Sequence, residues 1–173
     1  VWTERMLTAL EKGVNGGKWF SLIDKVYSPA VLRSAFGRVK ANGGGPGVDR
    51  QTIEMFEKRL EDNLSRLSEQ LQQGRYRPQA IRRAYIPKPG SAERRPLGIP
   101  TVRDRVVQGA VRAVIEPIFE REFAEQSYGF RPGRGCKDAL RRVVRLLEEG
   151  NVWVVDADLK DYFDSISHQR LMD

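Results

Sequence analysis

The strongest limit on the fold is a short apolar run near the end of the 173-residue chain. Residues 152–155 read VWVV, and four aspartates follow within nine positions: Asp156, Asp158, Asp161 and Asp164. The run predicts a strand over 152–158, which needs neighbouring strands, expected beyond the C-terminus. Alternation places Asp156 and Asp158 on one face at the end of this strand. Carboxylates are costly to bury, so these side chains must be solvated, hydrogen-bonded or bound to a cation.

The residues before this strand predict a mainly helical α+β fold. Apolar side chains recur every three or four residues in several segments, and the glycine-rich stretch NGGGPGVDR predicts a loop, either a plain linker or a nucleic-acid contact. Thr101 is an expected N-cap, and Gly74 and Gly150 are expected helix stops. In chain order the predicted elements are helices over 2–12 and 19–27, a helix beginning at Ser28 and Pro29, one long helix from Thr52 to Gln73, a β-hairpin within 80–100, a helix from Thr101 to Phe123 and a helix from Cys136 to Glu149.

The charge of the chain favours an acidic partner. Its 30 Lys and Arg against 23 Asp and Glu give +7, which favours nucleic acid first and an anionic membrane surface second. Positive charge is concentrated in 75–105 and 127–145, and contacts of this kind with phosphates weaken as salt rises. A solvated surface that keeps the chain soluble is the alternative. The candidate RNA-binding side chains in these segments are Arg82, Arg83, Arg131, Arg134 and Lys137.

The residues available for metal chemistry are oxygen ligands. One cysteine and one histidine, Cys136 and His168, are too few for a Cys/His zinc cluster. Asp158 is the best ligand candidate, whereas Asp164 or a neighbouring serine more simply caps the following helix. A hard ion such as Mg²⁺ suits carboxylate ligands and often binds substrate phosphates as well. Together with the basic hairpin, this suggests phosphoryl or nucleotidyl transfer.

Three ordered segments resemble successive conserved blocks of group II intron-encoded reverse transcriptases. They are RRAYIPKPGSAERRPLGIPTVRDRVVQ, SYGFRPGRGCKDAL and VVDADLKDYFDSISH. GGPGVD before a long helix is similar to the extra N-terminal block of these enzymes. The resemblance implies a right-hand polymerase fold, with an N-terminal extension over 1–50, fingers over 51–126 and the fingers/palm junction with the start of the palm over 127–173.

The resemblance also implies roles for individual residues. Asp158 matches the first of three catalytic aspartates and a ligand of both metal ions, Mg²⁺ with Mn²⁺ as a substitute, and the Leu159 carbonyl matches a further ligand. Phe163 matches the aromatic gate under the incoming sugar. The nucleotide contacts implied are Lys88, Arg95, Asp161, Tyr162 and Phe163, and the template-contacting or fold-supporting positions are Gly47, Asp49 and Arg131. The implied partners are an RNA template or intron RNA, a DNA primer and deoxynucleoside triphosphates, with a homodimer left open.

The departures from the family pattern limit what this chain can do alone. The second and third catalytic aspartates of the family, in a YADD-like hairpin, do not occur in this sequence. Two metal ions held about 4 Å apart need carboxylates on both sides. We therefore expect the 173-residue chain to be a piece of a longer protein and inactive by itself, whereas the full-length protein should polymerise.

Two other functions compete with the polymerase. One is a non-catalytic, maturase-like module that binds structured RNA. The other is a haloacid-dehalogenase-type phosphatase, suggested by DAD after an apolar strand, although Lys160 stands where that family has Thr or Val. No apolar stretch approaches the roughly 20 residues of a membrane span, and no signal peptide is recognised, so a bacterial cytoplasm is the expected location.

Overall fold

The computed structural model describes residues 2, 3, 8, 22–90, 92–160 and 162–172. These residues form helices and a two-stranded sheet, which confirms an α+β chain. The helix predicted over 2–12 and the start of the helix predicted over 19–27 lie largely outside the described residues. None of the described helices has the length and apolar character that a membrane span needs. The elements are α1 (Ile23–Val26), α2 (Pro29–Asn42), α3 (Ile53–Glu57), α4 (Leu60–Gln72), β1 (Arg82–Pro87), β2 (Arg94–Ile99), α5 (Val102–Phe119), α6 (Cys136–Glu148), α7 (Tyr162–Ser165) and α8 (His168–Met172).

The chain divides into two compact units, Val1–Phe123 and Ala124–Asp173. The hydrophobic core lies in the first unit, where helices α1 to α5 contribute apolar side chains at helical spacing. In the second unit, no residue of α6 or α8 is buried. The largest fully buried side chains of the first unit are Phe56, Leu32, Val102, Val106, Val114 and Thr101.

Most predicted helix ends are confirmed. Thr52 and Thr101 cap α3 and α5, because the hydroxyl of each accepts a hydrogen bond from a backbone N–H in the first turn of its helix. Gly74 and Gly150 follow α4 and α6 with φ of 64° and 92°, a backbone conformation that glycine adopts at no steric cost. Ser28 precedes α2 as predicted, but its side chain makes no cap hydrogen bond.

Helices α2 and α5 pack closely in the centre of the core. Gly109 makes this approach possible, because a Cβ at that position would lie 3.3 Å from the Cβ of Ala35. Helix α5 ends at Phe119 and not at the predicted Phe123. Pro117 lies inside the helix, which continues for two residues beyond it, and the Glu120 N–H still donates to the Glu116 carbonyl at 2.8 Å.

The prediction of a single long helix over 52–73 is wrong, because the helix is interrupted between α3 and α4. Arg59 lies in the break with φ −126° and ψ 42°, outside the helical region. Asn63 Nδ2 donates to the Phe56 carbonyl at 2.8 Å, which a continuous helix would pair with its own backbone. The apolar spacing continues unchanged across the break, so periodicity could not reveal it.

The predicted hairpin is confirmed, with β1 and β2 paired antiparallel and Arg82 opposite Ile99. Directly opposed residues share a face, and side chains alternate along each strand. Arg95 therefore lies on the same face as Arg82, and Arg83 lies on the opposite face with Arg94.

Two arginines hold the predicted glycine-rich loop in place. Arg82 Nε donates to the Pro46 carbonyl at 2.9 Å. Arg105 donates from its two terminal nitrogens to the carbonyls of Gly43 and Gly45, both at 3.0 Å. The loop is therefore a packed part of the first unit and not a plain linker.

Gly47→Ala is expected to destabilise the first unit by about 1–3 kcal/mol, because overpacking at a rigid contact costs that much. A Cβ at Gly47 would lie 2.7 Å from both the backbone N and the Cα of Thr101, atoms that cannot move aside as a flexible side chain does. The free energy of unfolding from urea titration measures the effect. Gly37→Ala is the matched control: this glycine lies exposed inside α2 with nothing within 4 Å, so alanine should stabilise by about 0.5–1 kcal/mol. Equal effects of the two substitutions would contradict the prediction.

A buried carboxylate, Asp104, joins the start of α5 to the segment before the hairpin. It is only 2% exposed. Its oxygens accept hydrogen bonds from the Tyr76 hydroxyl at 2.6 Å, the Gln79 backbone N–H at 3.1 Å and the Thr101 hydroxyl at 2.8 Å. The Arg103 guanidinium lies over the Tyr76 ring at 4.9 Å. Three donors therefore compensate the burial of this carboxylate.

The stability of the first unit is expected to fall as pH rises above about 10, the ordinary tyrosine pKa. Burial, and then the hydrogen bond to Asp104 and its charge, raise the pKa of Tyr76, with Arg103 opposing them. The folded chain keeps a proton that the unfolded chain loses, so the free energy of unfolding decreases with pH in that range. Tyr76→Phe should flatten this alkaline decline, measured by urea unfolding between about pH 8 and pH 11. Tyr85→Phe is the control: it changes an exposed hairpin tyrosine and should leave the alkaline decline in the free energy of unfolding unchanged. An equal decline in wild type and in Tyr76→Phe would refute the assignment of this effect to Tyr76.

The strand predicted over 152–158 is wrong. Among the described residues β1 and β2 pair only with each other, so this segment has no ladder partner and forms no regular secondary structure. Its apolar side chains are exposed, Trp153 and Val155 at 93% each. The apolar side of α6 is exposed as well, at Leu140, Val143, Val144 and Leu147. Apolar surface is thus left uncovered within the described part of the second unit.

Candidate nucleic-acid interface and aspartate segment

The hairpin presents positive charge on both of its faces. Arg83, Arg94 and Arg95 are exposed. Within the described part of the chain, none of these three guanidinium groups pairs with a carboxylate. Unpaired guanidinium groups are well suited to oxyanions, because their planar fork of donors matches phosphate oxygens. These three arginines can therefore bind phosphate groups without first breaking an ion pair.

Lys88 lies directly after β1 and has one acidic neighbour. Its backbone N–H donates to the Glu93 carbonyl at 3.0 Å, and its Nζ lies 3.0 Å from a Glu93 carboxylate oxygen. An exposed pair of this kind contributes at most about 1 kcal/mol, so a phosphate can take the place of Glu93. The structure thus brings Lys88 and Arg95 together on one hairpin, and their nucleotide contacts stay predictions.

Three residues predicted at the RNA interface have contacts within the fold. Arg82 holds the glycine-rich loop through Pro46, and Gly47 lies against the cap of α5. The Asp49 carboxylate accepts from the Gln51 N–H at 3.1 Å in a local turn. These contacts fit the fold-supporting role, and contact of these residues with RNA stays a prediction.

The basic residues of the second unit organise the turn that precedes α6. Arg131 donates to two carbonyls of that turn, at 2.9 and 3.0 Å. The Arg134 guanidinium lies over the Tyr128 ring at 5.9 Å and also donates to turn carbonyls. Lys137 is exposed in the first turn of α6. Of these three predicted RNA contacts, Lys137 is the one whose charged group is exposed and does not hold the turn.

The aspartate segment does not form a complete metal site. Asp156 and Asp158 are both exposed in the irregular segment after α6, and the Leu159 carbonyl follows directly. No group of three or more His, Cys, Asp or Glu that could hold a metal ion occurs among the described residues. Asp158 offers a single carboxylate, so the residues present do not fit a two-ion site by themselves.

The predicted residues after Asp158 are only partly described. Asp161 and the side chain of Asp164 lie outside the described residues. Tyr162 and Phe163 begin α7 with exposed side chains, and their rings meet edge to face at 5.4 Å. The Ser167 hydroxyl accepts a hydrogen bond from the backbone N–H of the third residue of α8 at 3.4 Å, which agrees with a serine as the cap of this helix, one of the two alternatives.

Sequence reasoning missed two residues that shape this region. Arg105 was counted as one charge of a basic cluster, whereas it holds two carbonyls of the glycine-rich loop. Asp104 lies in the first turn of α5 and accepts hydrogen bonds from Tyr76 and Gln79, which the pattern around Thr101 does not predict. Its position three residues after Thr101 is the one local signal, and the other donors lie about 25 residues away.

Comparison with known families identifies the class of protein. The sequence profile described as reverse transcriptase (RNA-dependent DNA polymerase) matches residues 86–173, just over half of the chain. The match begins within β1 and includes β2, α5 and the second unit. The chain therefore belongs to the reverse transcriptase family, which removes the phosphatase interpretation.

The relatives narrow this to the group II intron-encoded type, as the resemblance predicted. The chain is 38% identical to the group II intron-encoded protein LtrA of Lactococcus lactis subsp. cremoris over 160 residues, 87% of this chain and 26% of that protein. It is 44% identical to protein YkfC of Escherichia coli (strain K12) over 131 residues, 73% of this chain and 34% of that protein. It is 32% identical to the putative COX1/OXI3 intron 1 protein of Saccharomyces cerevisiae over 154 residues, 88% of this chain and 18% of that protein. The chain thus spans about a third or less of the length of these relatives.

Proposed function

We propose that these residues are part of an RNA-directed DNA polymerase of the group II intron type, which binds intron RNA and extends a DNA primer on an RNA template. The observation that carries the proposal is the family match over 86–173, because that range includes Lys88, Arg95 and Asp158. A right-hand arrangement, with an N-terminal extension, fingers and the start of a palm, belongs to the same proposal.

The hairpin is the proposed contact for the incoming deoxynucleoside triphosphate. Lys88 and Arg95 bind its β- and γ-phosphates, supported by the exposure of Arg95 and by the weak surface pair of Lys88. Phe163, in α7, is the proposed contact under the sugar, and the backbone amides near Asp161 and Tyr162 are the proposed contacts for the triphosphate. Exposure of the Tyr162 and Phe163 rings is compatible with stacking against a nucleotide.

Asp158 is the proposed catalytic carboxylate of this chain. With the Leu159 carbonyl it supplies part of a divalent-cation site, for Mg²⁺ with Mn²⁺ as a substitute, and the other ligands come from outside the described residues. A divalent ion in such a site neutralises charge on the phosphate oxygens. The exposure of Asp158 supports this role, since its carboxylate oxygens are accessible to an ion from solvent.

The proposed RNA contacts lie on both units. They combine exposed cations with residues of the glycine-rich loop and the turn before α6, and they act mainly on the phosphate backbone. The residues are Gly47, Asp49, Arg82, Arg83, Arg131, Arg134 and Lys137.

A non-catalytic, maturase-like RNA-binding module is the second candidate. The observation that favours it is the lack of a complete metal-ligand cluster among the described residues, beside a hairpin rich in unpaired cations. Under this alternative the phosphate contacts serve structured RNA only, and Asp158 takes no part in chemistry.

Primer extension with the full-length protein tests the proposal. With an RNA template, a DNA primer, deoxynucleoside triphosphates and Mg²⁺, labelled primer should be elongated, and the 173-residue chain alone should give no extension. Salt-dependent RNA binding by both proteins is measured in parallel. Binding without elongation by the full-length protein would reject the polymerase in favour of the RNA-binding module, and elongation by the 173-residue chain would refute its predicted inactivity.

A further inference from the structure

A cleft between α2 and α5 has the side chains of an anion-binding site. Its volume is about 320 Å³, and its polar lining consists of Arg38, Asn42, Arg105, Gln108 and Arg112. None of the residues that line the cleft is acidic. Three guanidinium groups and two amides therefore line one concavity whose lining contains no carboxylate.

Arg38 is a free cation within the described part of the chain. Two other basic residues of α2 are already neutralised, since Arg33 pairs with Glu61 and Lys40 lies 2.6 Å from Glu57. Arg38 makes no ion pair or hydrogen bond with any described residue. Its charge is therefore available to a ligand in the cleft.

Arg105 is fixed at the edge of the cleft and retains an unused donor. Each of its terminal nitrogens donates one hydrogen bond to the glycine-rich loop. Its Nε is buried and has no hydrogen-bond partner among the described residues. An unpaired buried N–H costs about 1–3 kcal/mol, so such a group commonly marks the place of an acceptor.

Arg112 can bind a ligand in the cleft, because it gives up only a weak ion pair. It pairs with Glu116 one helical turn away, at 2.5 Å, and its side chain is exposed. Such a pair contributes well under about 1 kcal/mol, so an oxyanion with two available oxygens can compete with Glu116.

We propose that this cleft binds a phosphate group of the RNA backbone. The inference rests on the proposed function and adds a contact site that neither the hairpin nor the aspartate segment includes. Guanidinium forks bind phosphate oxygens in a bidentate manner, and the amides of Asn42 and Gln108 donate further hydrogen bonds. Because Arg38 and Arg112 are exposed, water competes strongly for a lone phosphate, whereas a phosphate within a polymer also gains from counterion release.

The test compares two double variants of the 173-residue chain that remove the same charge. Arg38→Gln with Arg112→Gln changes the cleft, and Arg33→Gln with Lys40→Gln removes two cations of α2 that lie outside its lining. All four side chains are exposed, so both variants should unfold at nearly the same temperature as wild type. The dissociation constant for a structured RNA is measured between about 0.05 and 0.2 M salt.

The cleft variant should bind RNA about ten-fold more weakly, and the slope of log K against log salt should be smaller by about 1. The control should change the slope by much less, because charges without direct phosphate contact are screened over about 10 Å. Equal effects of the two variants would overturn the proposal.

Inorganic phosphate distinguishes the two sources of the ligand. If millimolar phosphate raises the unfolding temperature of wild type but not of the cleft variant, and both bind RNA equally, the cleft serves free phosphate and the RNA assignment is overturned. If wild type binds no RNA even at low salt, the proposed function fails together with this inference. If wild type binds RNA and the cleft variant matches its control, only this inference fails.

Discussion

Asp158→Ala in the full-length protein should reduce RNA-templated DNA synthesis at least about a thousand-fold, equivalent to about 4 kcal/mol of transition-state stabilisation. Removing the carboxylate removes the ligand that this chain contributes to the proposed cation site. RNA binding should stay within about two-fold or become slightly tighter, because losing a negative charge does not weaken binding to a polyanion. Single-turnover primer extension and RNA titration measure the two effects separately.

Asp156→Ala is the matched control for this experiment. Asp156 lies two residues earlier in the same irregular segment and is equally exposed, but the family resemblance gives it no catalytic role. It should retain synthesis within a few-fold of wild type. Equal losses in the two variants would reject a specific role for Asp158, and loss of RNA binding in Asp158→Ala would show that the residue is structural.

Asp104→Ala should be the most destabilising of the proposed substitutions in the first unit, by about 3–5 kcal/mol. It leaves three donors without their acceptor: the Tyr76 hydroxyl, the Gln79 N–H and the Thr101 hydroxyl. Each donor left unsatisfied in a buried place costs about 1–3 kcal/mol, reduced where water can enter. For a chain of this size the unfolding temperature should fall by roughly 10 °C, measured by circular dichroism.

Two further variants, Asp62→Ala and Asp104→Asn, separate the effect of burying a carboxylate from the effect of its charge. Asp62→Ala removes an exposed carboxylate from the first turn of α4 and should cost under about 1 kcal/mol. Asp104→Asn keeps one acceptor oxygen, so its free energy of unfolding should lie between those of wild type and Asp104→Ala. A loss at Asp104→Ala no larger than at Asp62→Ala would mean that the three hydrogen bonds contribute little.

The parts of the fold that depend on local sequence were predictable. The hairpin, the caps at Thr52 and Thr101 and the glycine stops follow from residues a few positions apart. The break at Arg59 was not predictable, because the apolar spacing continues across it. The strand over 152–158 was wrong because a strand also needs a neighbour, and its own composition cannot supply one.

The candidate site shows the same division. Motifs make the hairpin cations and Asp158 candidates, because residue type and order alone carry that information, and their roles stay predictions. The roles of Arg105 and Asp104 depend on backbone groups distant in sequence, and counting charges could not reveal them. The cleft between α2 and α5 was missed for the same reason, since its arginines come from helices about 70 residues apart.

The position of the hydrophobic core affects how the protein is made at the ribosome. Among the described residues of the first unit, the buried apolar side chains occur between Val26 and Val114, so this unit can fold while later residues are still being added. The apolar side of α6 and the VWVV run then leave the exit tunnel with their side chains exposed. A nascent chain at that stage offers an attachment point for chaperones that hold hydrophobic segments, and the first unit is already folded when they attach.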